Sequence, residues 1–79
     1  NITMLKEFER VFLTEDLNGT PYVKGDVGVI AHSYENQEGF EIEFFAADGS
    51  TLSVESVSTN QVKSCAGIKA VLHILAKAA

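Results

Sequence analysis

Read for alternation of apolar and polar positions, the chain is a series of short strands followed by one segment with helical spacing. Arg10-Val11-Phe12-Leu13-Thr14 opens the series, rich in the β-branched and aromatic residues that suit a pleated, half-buried surface. Ahead of it, residues 4–8 fit a single helical turn. Residues 15–25 form a long polar loop with Asn18-Gly19 and the lone Pro21. Gly25-Asp26 then leads into a run from Val27 to Tyr34 that is apolar on both faces and contains Gly28. A glycine inside a strand marks a bulge or sharp bend, as a small barrel needs at its corners. Next, Phe40, Ile42 and Phe44 alternate with Glu41, Glu43 and Phe45, and Leu52 and Val54 alternate with Ser53 and Glu55. Val62 begins a very short last strand. The expected strands are therefore 9–14, 26–34, 40–47, 50–57 and 62–64.

The central hairpin invites a register. A two-residue turn at Asp48-Gly49 would set Glu43 against Val54 and Phe44 against Ser53, mixing the faces. A three-residue loop of Ala47, Asp48 and Gly49, with a left-handed Gly49, pairs Phe44 with Leu52 and Ile42 with Val54. The second register is expected, since one slip turns the apolar set outward. It places Glu41 directly opposite Glu55 on the outer face, with Glu43 beside them and Phe45 on the same face by parity. Like charges so placed are mildly destabilising. The three glutamates read either as a solvated acidic surface or as a docking face for cations. With Phe45 they form the candidate partner-binding set.

From Ala66 the period changes. Ile68, Val71, Leu72 and Leu75 follow helical spacing, with Lys69, His73 and Lys77 on the other side. The expectation is an amphipathic helix over 65–79, packed through those four apolar residues on its own barrel or on a second subunit. A helix of that length is marginal alone in water.

Size and charge narrow the function. Seventy-nine residues make one domain with a thin core. All 11 acidic groups lie in residues 1–62, beside only Lys6, Arg10 and Lys24, while residues 63–79 hold three lysines and no acid. An acidic body repels phosphate backbones, so nucleic acid is a poor partner. No apolar run approaches the roughly 20 residues that span a bilayer. The lone Cys65 has no internal disulfide partner, so a reducing cytoplasm is the expected compartment.

Little in the chain carries chemistry. His32, Cys65 and His73 share no metal-ligand motif, and Glu41, Glu43 and Glu55 lack a calcium-loop arrangement, so no metal or other cofactor is expected. Cys65 with a histidine is a loose candidate for nucleophilic catalysis, a small buried cysteine being the commoner case. Carboxylates on a convex sheet face lack the cleft that acid–base work requires. No enzyme is expected.

The order of these signals resembles a bacterial family, domain-of-unknown-function family 4926. The likeness runs through Val11-Phe12-Leu13-Thr14-Glu15-Asp16-Leu17, Val23-Lys24-Gly25-Asp26-Val27-Gly28-Val29-Ile30, Gly39-Phe40-Glu41-Ile42-Glu43-Phe44-Phe45, Asp48-Gly49-Ser50-Thr51-Leu52 and Gln61-Val62. It covers roughly residues 5–63 and implies an SH3-like fold with no established activity. The stretch from Lys24 to Ile30 is also similar to the turn of KOW modules, without their basic surroundings. The expected architecture is mainly β: a five-stranded SH3-like barrel over 1–64 with a C-terminal amphipathic helix over 65–79. The expected function is a non-enzymatic protein-interaction module, self-associating through that helix. The alternative is a small acidic antitoxin- or immunity-type regulator that binds a basic partner protein.

Overall fold

The computed structural model describes residues 5–66, the side chain of Gln37 excepted. Five strands form: β1 (Arg10–Leu13), β2 (Val27–Ser33), β3 (Gly39–Phe45), β4 (Thr51–Ser58) and β5 (Val62–Ser64). Each lies within two residues of its expected position. They make one antiparallel sheet in the order β4-β3-β2-β1-β5. Two single 3₁₀ turns, Glu35–Gln37 and Thr59–Gln61, join β2 to β3 and β4 to β5. The second is tied by a reciprocal capping box between Ser58 and Gln61, which shapes the return from β4 to β5.

The expected barrel is corrected to an open sheet, with β4 and β5 at opposite edges. Closure needs the outer strands to pair, and β5, three residues long, spends itself on β1 from Val11 to Leu13. The loop between β1 and β2 covers the core instead. Its Leu17 and Tyr22 are buried with Ile30, Ile42 and Phe44, and the Tyr22 ring stacks on Phe44 at 3.9 Å. The Tyr22 hydroxyl reaches Ser53 Oγ on β4 at 2.6 Å, so the loop spans the face that a closed barrel would enclose.

The helix expected over 65–79 is likewise corrected where the chain is described, at Cys65 and Ala66. Among the described residues there is no α-helix. The Cys65 amide donates to the Arg10 carbonyl at 3.0 Å, which continues the bonding between β5 and β1 at the point where the helix is expected to begin. Ile68, Val71, Leu72 and Leu75 lie outside the described residues.

At the N-terminal end, a β-turn over residues 6–9 replaces the expected helical turn, with the Glu9 amide donating to the Lys6 carbonyl. Phe8 occupies its third position at φ +70°, a left-handed conformation that favours glycine.

Gly28 is neither a bulge nor a bend. A Cβ there would lie 2.5 Å from Ile42 Cγ2 and 2.9 Å from the Glu43 carbonyl oxygen. It is a close-approach position that lets β2 and β3 meet. The irregularity in β2 falls three residues later, where Ala31 is the extra residue between the pairs Ile30–Ile42 and His32–Glu41.

The hairpin reconciles both registers considered from sequence. Ala46 and Ser50 bond across a three-residue loop with Gly49 at φ +90°, as expected, and Phe45 pairs with Thr51. Between Phe45 and Phe44 the register then shifts, because Leu52 is an extra residue on β4. From there Phe44 faces Ser53, Glu43 faces Val54, Ile42 faces Glu55 and Glu41 faces Ser56. The expected pairings of Phe44 with Leu52, Ile42 with Val54 and Glu41 with Glu55 are therefore corrected. The core drives the shift, since it brings Val57 opposite Phe40 and buries both.

Candidate functional site

Residues opposite one another in an antiparallel pair share a face, so the pairings lay out both sides of the sheet. One side, with Val11, Ile30, Ile42 and Phe44, is the core. The other faces solvent. Its central row runs Arg10–Val29–Glu43–Val54 across β1, β2, β3 and β4. A second row runs Lys63–Phe12–Val27 across β5, β1 and β2. A third runs His32–Glu41–Ser56 across β2, β3 and β4.

This outer face carries more apolar surface than expected. Phe45 is 42% exposed, Leu52 58% and Val54 48%, while Phe12, Val27 and Val29 are half-buried beside them. Simple alternation places Leu52 and Val54 in the core, and the bulge at Leu52 puts them outside. One signal in the sequence points to this: Val57 differs in parity from Leu52 and Val54, so a regular strand cannot bury all three.

Of the expected partner-binding set, Glu41, Glu43 and Phe45 share this face and Glu55 does not. Glu55 lies opposite Ile42 and accepts a hydrogen bond from Ser53 Oγ at 2.8 Å, at the rim of the core beneath Tyr22. The expected triad of glutamates is thus a pair. Glu41 accepts from the Tyr34 hydroxyl at 2.9 Å, and the Thr51 hydroxyl donates to Glu43. Both carboxylates are held in place, Glu43 between Val29 and Val54 in the central row and Glu41 in the row with His32.

At the far end of the face, His32 Nδ1 lies 3.7 Å from Glu7 Oε2, with its ring edge-on to Tyr34. Ser56 Oγ and the Tyr34 hydroxyl are 3.0 Å apart, completing a polar border. On the opposite side of the patch stand Arg10 and Lys63, both exposed and neither paired with a carboxylate among the described residues.

The reactive groups are dispersed. Cys65 is buried, and burial pushes its thiol pKa up, against nucleophilic use. Among the described residues no group of three or more His, Cys, Asp or Glu side chains is placed to hold a metal ion. His73 lies outside the described residues. No helix among the described residues is long and apolar enough to cross a membrane.

Comparison with known proteins adds one fact. No curated protein and no solved structure matches the chain. A family model does match, over residues 7–64, a span that takes in all five strands and every residue of the outer face described above. With most of its length matched, the chain belongs to the family described as Domain of unknown function (DUF4926).

Proposed function

We propose that this chain is a non-enzymatic protein-interaction module that works in the cytoplasm, and that its binding surface is the outer face of the sheet. The observation that carries the reading is the exposed set Phe45, Leu52 and Val54, turned outward by one extra residue in β4. Isolated exposed apolar residues are ordinary, but a contiguous set with a charged border has the composition of an interface centre and rim. Polar groups that could otherwise support chemistry are engaged with each other, as in the run from Tyr22 through Ser53 to Glu55.

A second reading keeps the same face and gives it a basic protein partner, in the manner of an antitoxin or immunity protein. It is favoured by charge: residues 5–66 hold eleven carboxylates against Lys6, Arg10, Lys24 and Lys63. Long-range attraction of that kind speeds encounter and selects partners more than it adds affinity.

The test is comparative capture. Tagged wild-type chain and a Phe45→Ser/Leu52→Ser variant are expressed in the cells that make the protein and recovered in parallel. Proteins held by the wild type and lost from the variant support the reading. Recovery of identical sets by both baits refutes it.

A further inference from the structure

The outer face has a property that the choice of a protein partner leaves unused: its charges are sorted. Arg10 and Lys63 stand on β1 and β5, Glu41 and Glu43 on β3, and Val27 and Val29 lie between them on β2. In the central row Arg10 and Glu43 are the two neighbours of Val29, one strand to either side, or about 5 Å each way. In the next row Phe12 is the neighbour of Val27 on β1, and Phe45 lies two residues beyond Glu43 along β3. In these two rows β1 and β3, the strands on either side of β2, therefore match, with an aromatic ring on each, a cation on one and an anion on the other; Lys63 and Glu41 lie outside the matched set.

From this arrangement we infer that the face binds a second copy of the same chain, packed sheet on sheet about a two-fold axis that runs along β2. The inference rests on the reading of the outer face as the protein-binding surface. A two-fold axis lying in the interface and parallel to the strands keeps each row at its own height and exchanges its left and right flanks. Val27 and Val29 then meet their own counterparts at the axis. Arg10 of each copy meets Glu43 of the other, and Phe12 of each meets Phe45 of the other. Each contact occurs twice, as an isologous interface requires.

The competing two-fold, perpendicular to the strands, would set Arg10 near Arg10 and Glu43 near Glu43, which like-charge repulsion disfavours. Packed sheets cross at about 30° because each is twisted, so contact is closest around the axis, where these residues lie. The rings and valines supply the association free energy by leaving water. The exposed ion pairs contribute little each and set the orientation.

The chain thus resolves an apparent conflict between its net charge and self-association. Two acidic molecules repel at long range, but screening confines that repulsion to about 10 Å at 0.1 M salt. At contact, the local order of charges decides.

The experiment is sedimentation velocity on the full chain at roughly 5 to 500 µM in 0.1 M salt, with Arg10→Glu and Glu43→Arg variants. The wild type is expected at twice the 8.6 kDa chain mass at the upper end of that range. Each variant alone is expected as a monomer, since one substitution creates two like-charge contacts. An equimolar mixture of the two variants is expected to regain the dimer. When an Arg10→Glu copy meets a Glu43→Arg copy, each of the two contacts again sets a carboxylate against a guanidinium. Thermal melts of the variants within a few degrees of wild type exclude misfolding as the cause.

A wild type that stays monomeric overturns the inference, and so does a mixture no heavier than its components. Capture by the Phe45→Ser/Leu52→Ser bait then separates the two failures. If that bait loses proteins the wild type holds, the second copy is refuted and the face stands; if it loses none, the face is refuted as well.

Discussion

Replacing Gly28 by alanine tests the closeness of β2 and β3, on which both faces of the sheet depend. The added Cβ would sit 2.5 Å from Ile42 Cγ2 and 2.9 Å from the Glu43 carbonyl oxygen, against an ordinary carbon contact of about 3.5–4.0 Å. Ile42 is fully buried, so its methyl has little space to yield, and the carbonyl belongs to the strand itself. Relief therefore requires β2 and β3 to part or slide. Overpacking of this kind costs about 1–3 kcal/mol. Alanine restricts the unfolded chain more than glycine does, which offsets about 0.4–1 kcal/mol. The net expectation is a loss of about 1–2 kcal/mol, and in a domain of this size that lowers Tm by roughly 5–15 °C. Thermal and urea unfolding followed by circular dichroism provide the measurement, with an unchanged urea m value showing that the denatured state is unaffected. Combining the change with Ile42→Ala removes the nearest of the obstructing atoms, so Gly28→Ala should cost less in that background. A Gly28→Ala protein as stable as wild type would show that the strands do not approach as closely as described.

Three further outcomes follow from particular contacts. Tyr22→Phe keeps the ring on Phe44 and removes the hydroxyl beside Ser53; a loss of about 1 kcal/mol is expected by urea unfolding, and no loss would mean that the loop is held by the ring alone. The Cys65 thiol, with its pKa raised by burial, should react slowly with a thiol reagent at pH 8 until the protein unfolds; rapid reaction would contradict its burial. The sign for stability is that the protonated thiol is the favoured folded form, so its contribution is present below the ordinary thiol pKa and lost as pH rises above it. Asp48 has its pKa lowered first by the Ser50 hydroxyl and then by the Ser50 backbone amide, so the hairpin turn should be intact above the ordinary carboxylate range and loosen as pH falls below it. Amide exchange at Gly49 and Ser50, compared between wild type and Asp48→Ala, reads that loosening directly; identical exchange would show that the side chain does not hold the turn.

The number, place and order of the strands are legible in the residues alone. Local periodicity and turn chemistry suffice for that: β-branched runs mark β1 and β2, alternation marks β3 and β4, and Gly49 marks a three-residue loop that the structure contains. The family is legible for the same reason, since its pattern is a succession of such local signals. The remainder depends on contacts between distant parts of the chain. Whether β4 and β5 would close a barrel depended on the loop after β1, whose Tyr22 reaches across to Ser53 and covers the core instead. Whether Leu52 and Val54 faced inward depended on Val57, which lies deeper against Phe40 and takes the place they would have filled. A single inserted residue costs little locally but reverses every side chain beyond it, and only the packing of distant residues determines where that residue goes. The same reversal separated Glu55 from Glu41 and Glu43 and turned Leu52 and Val54 outward beside Glu43 and Phe45. The surface proposed for binding thus arises from how the core is filled: the parity of Leu52, Val54 and Val57 shows that not all three can be buried, and only packing against Phe40 decides which one is.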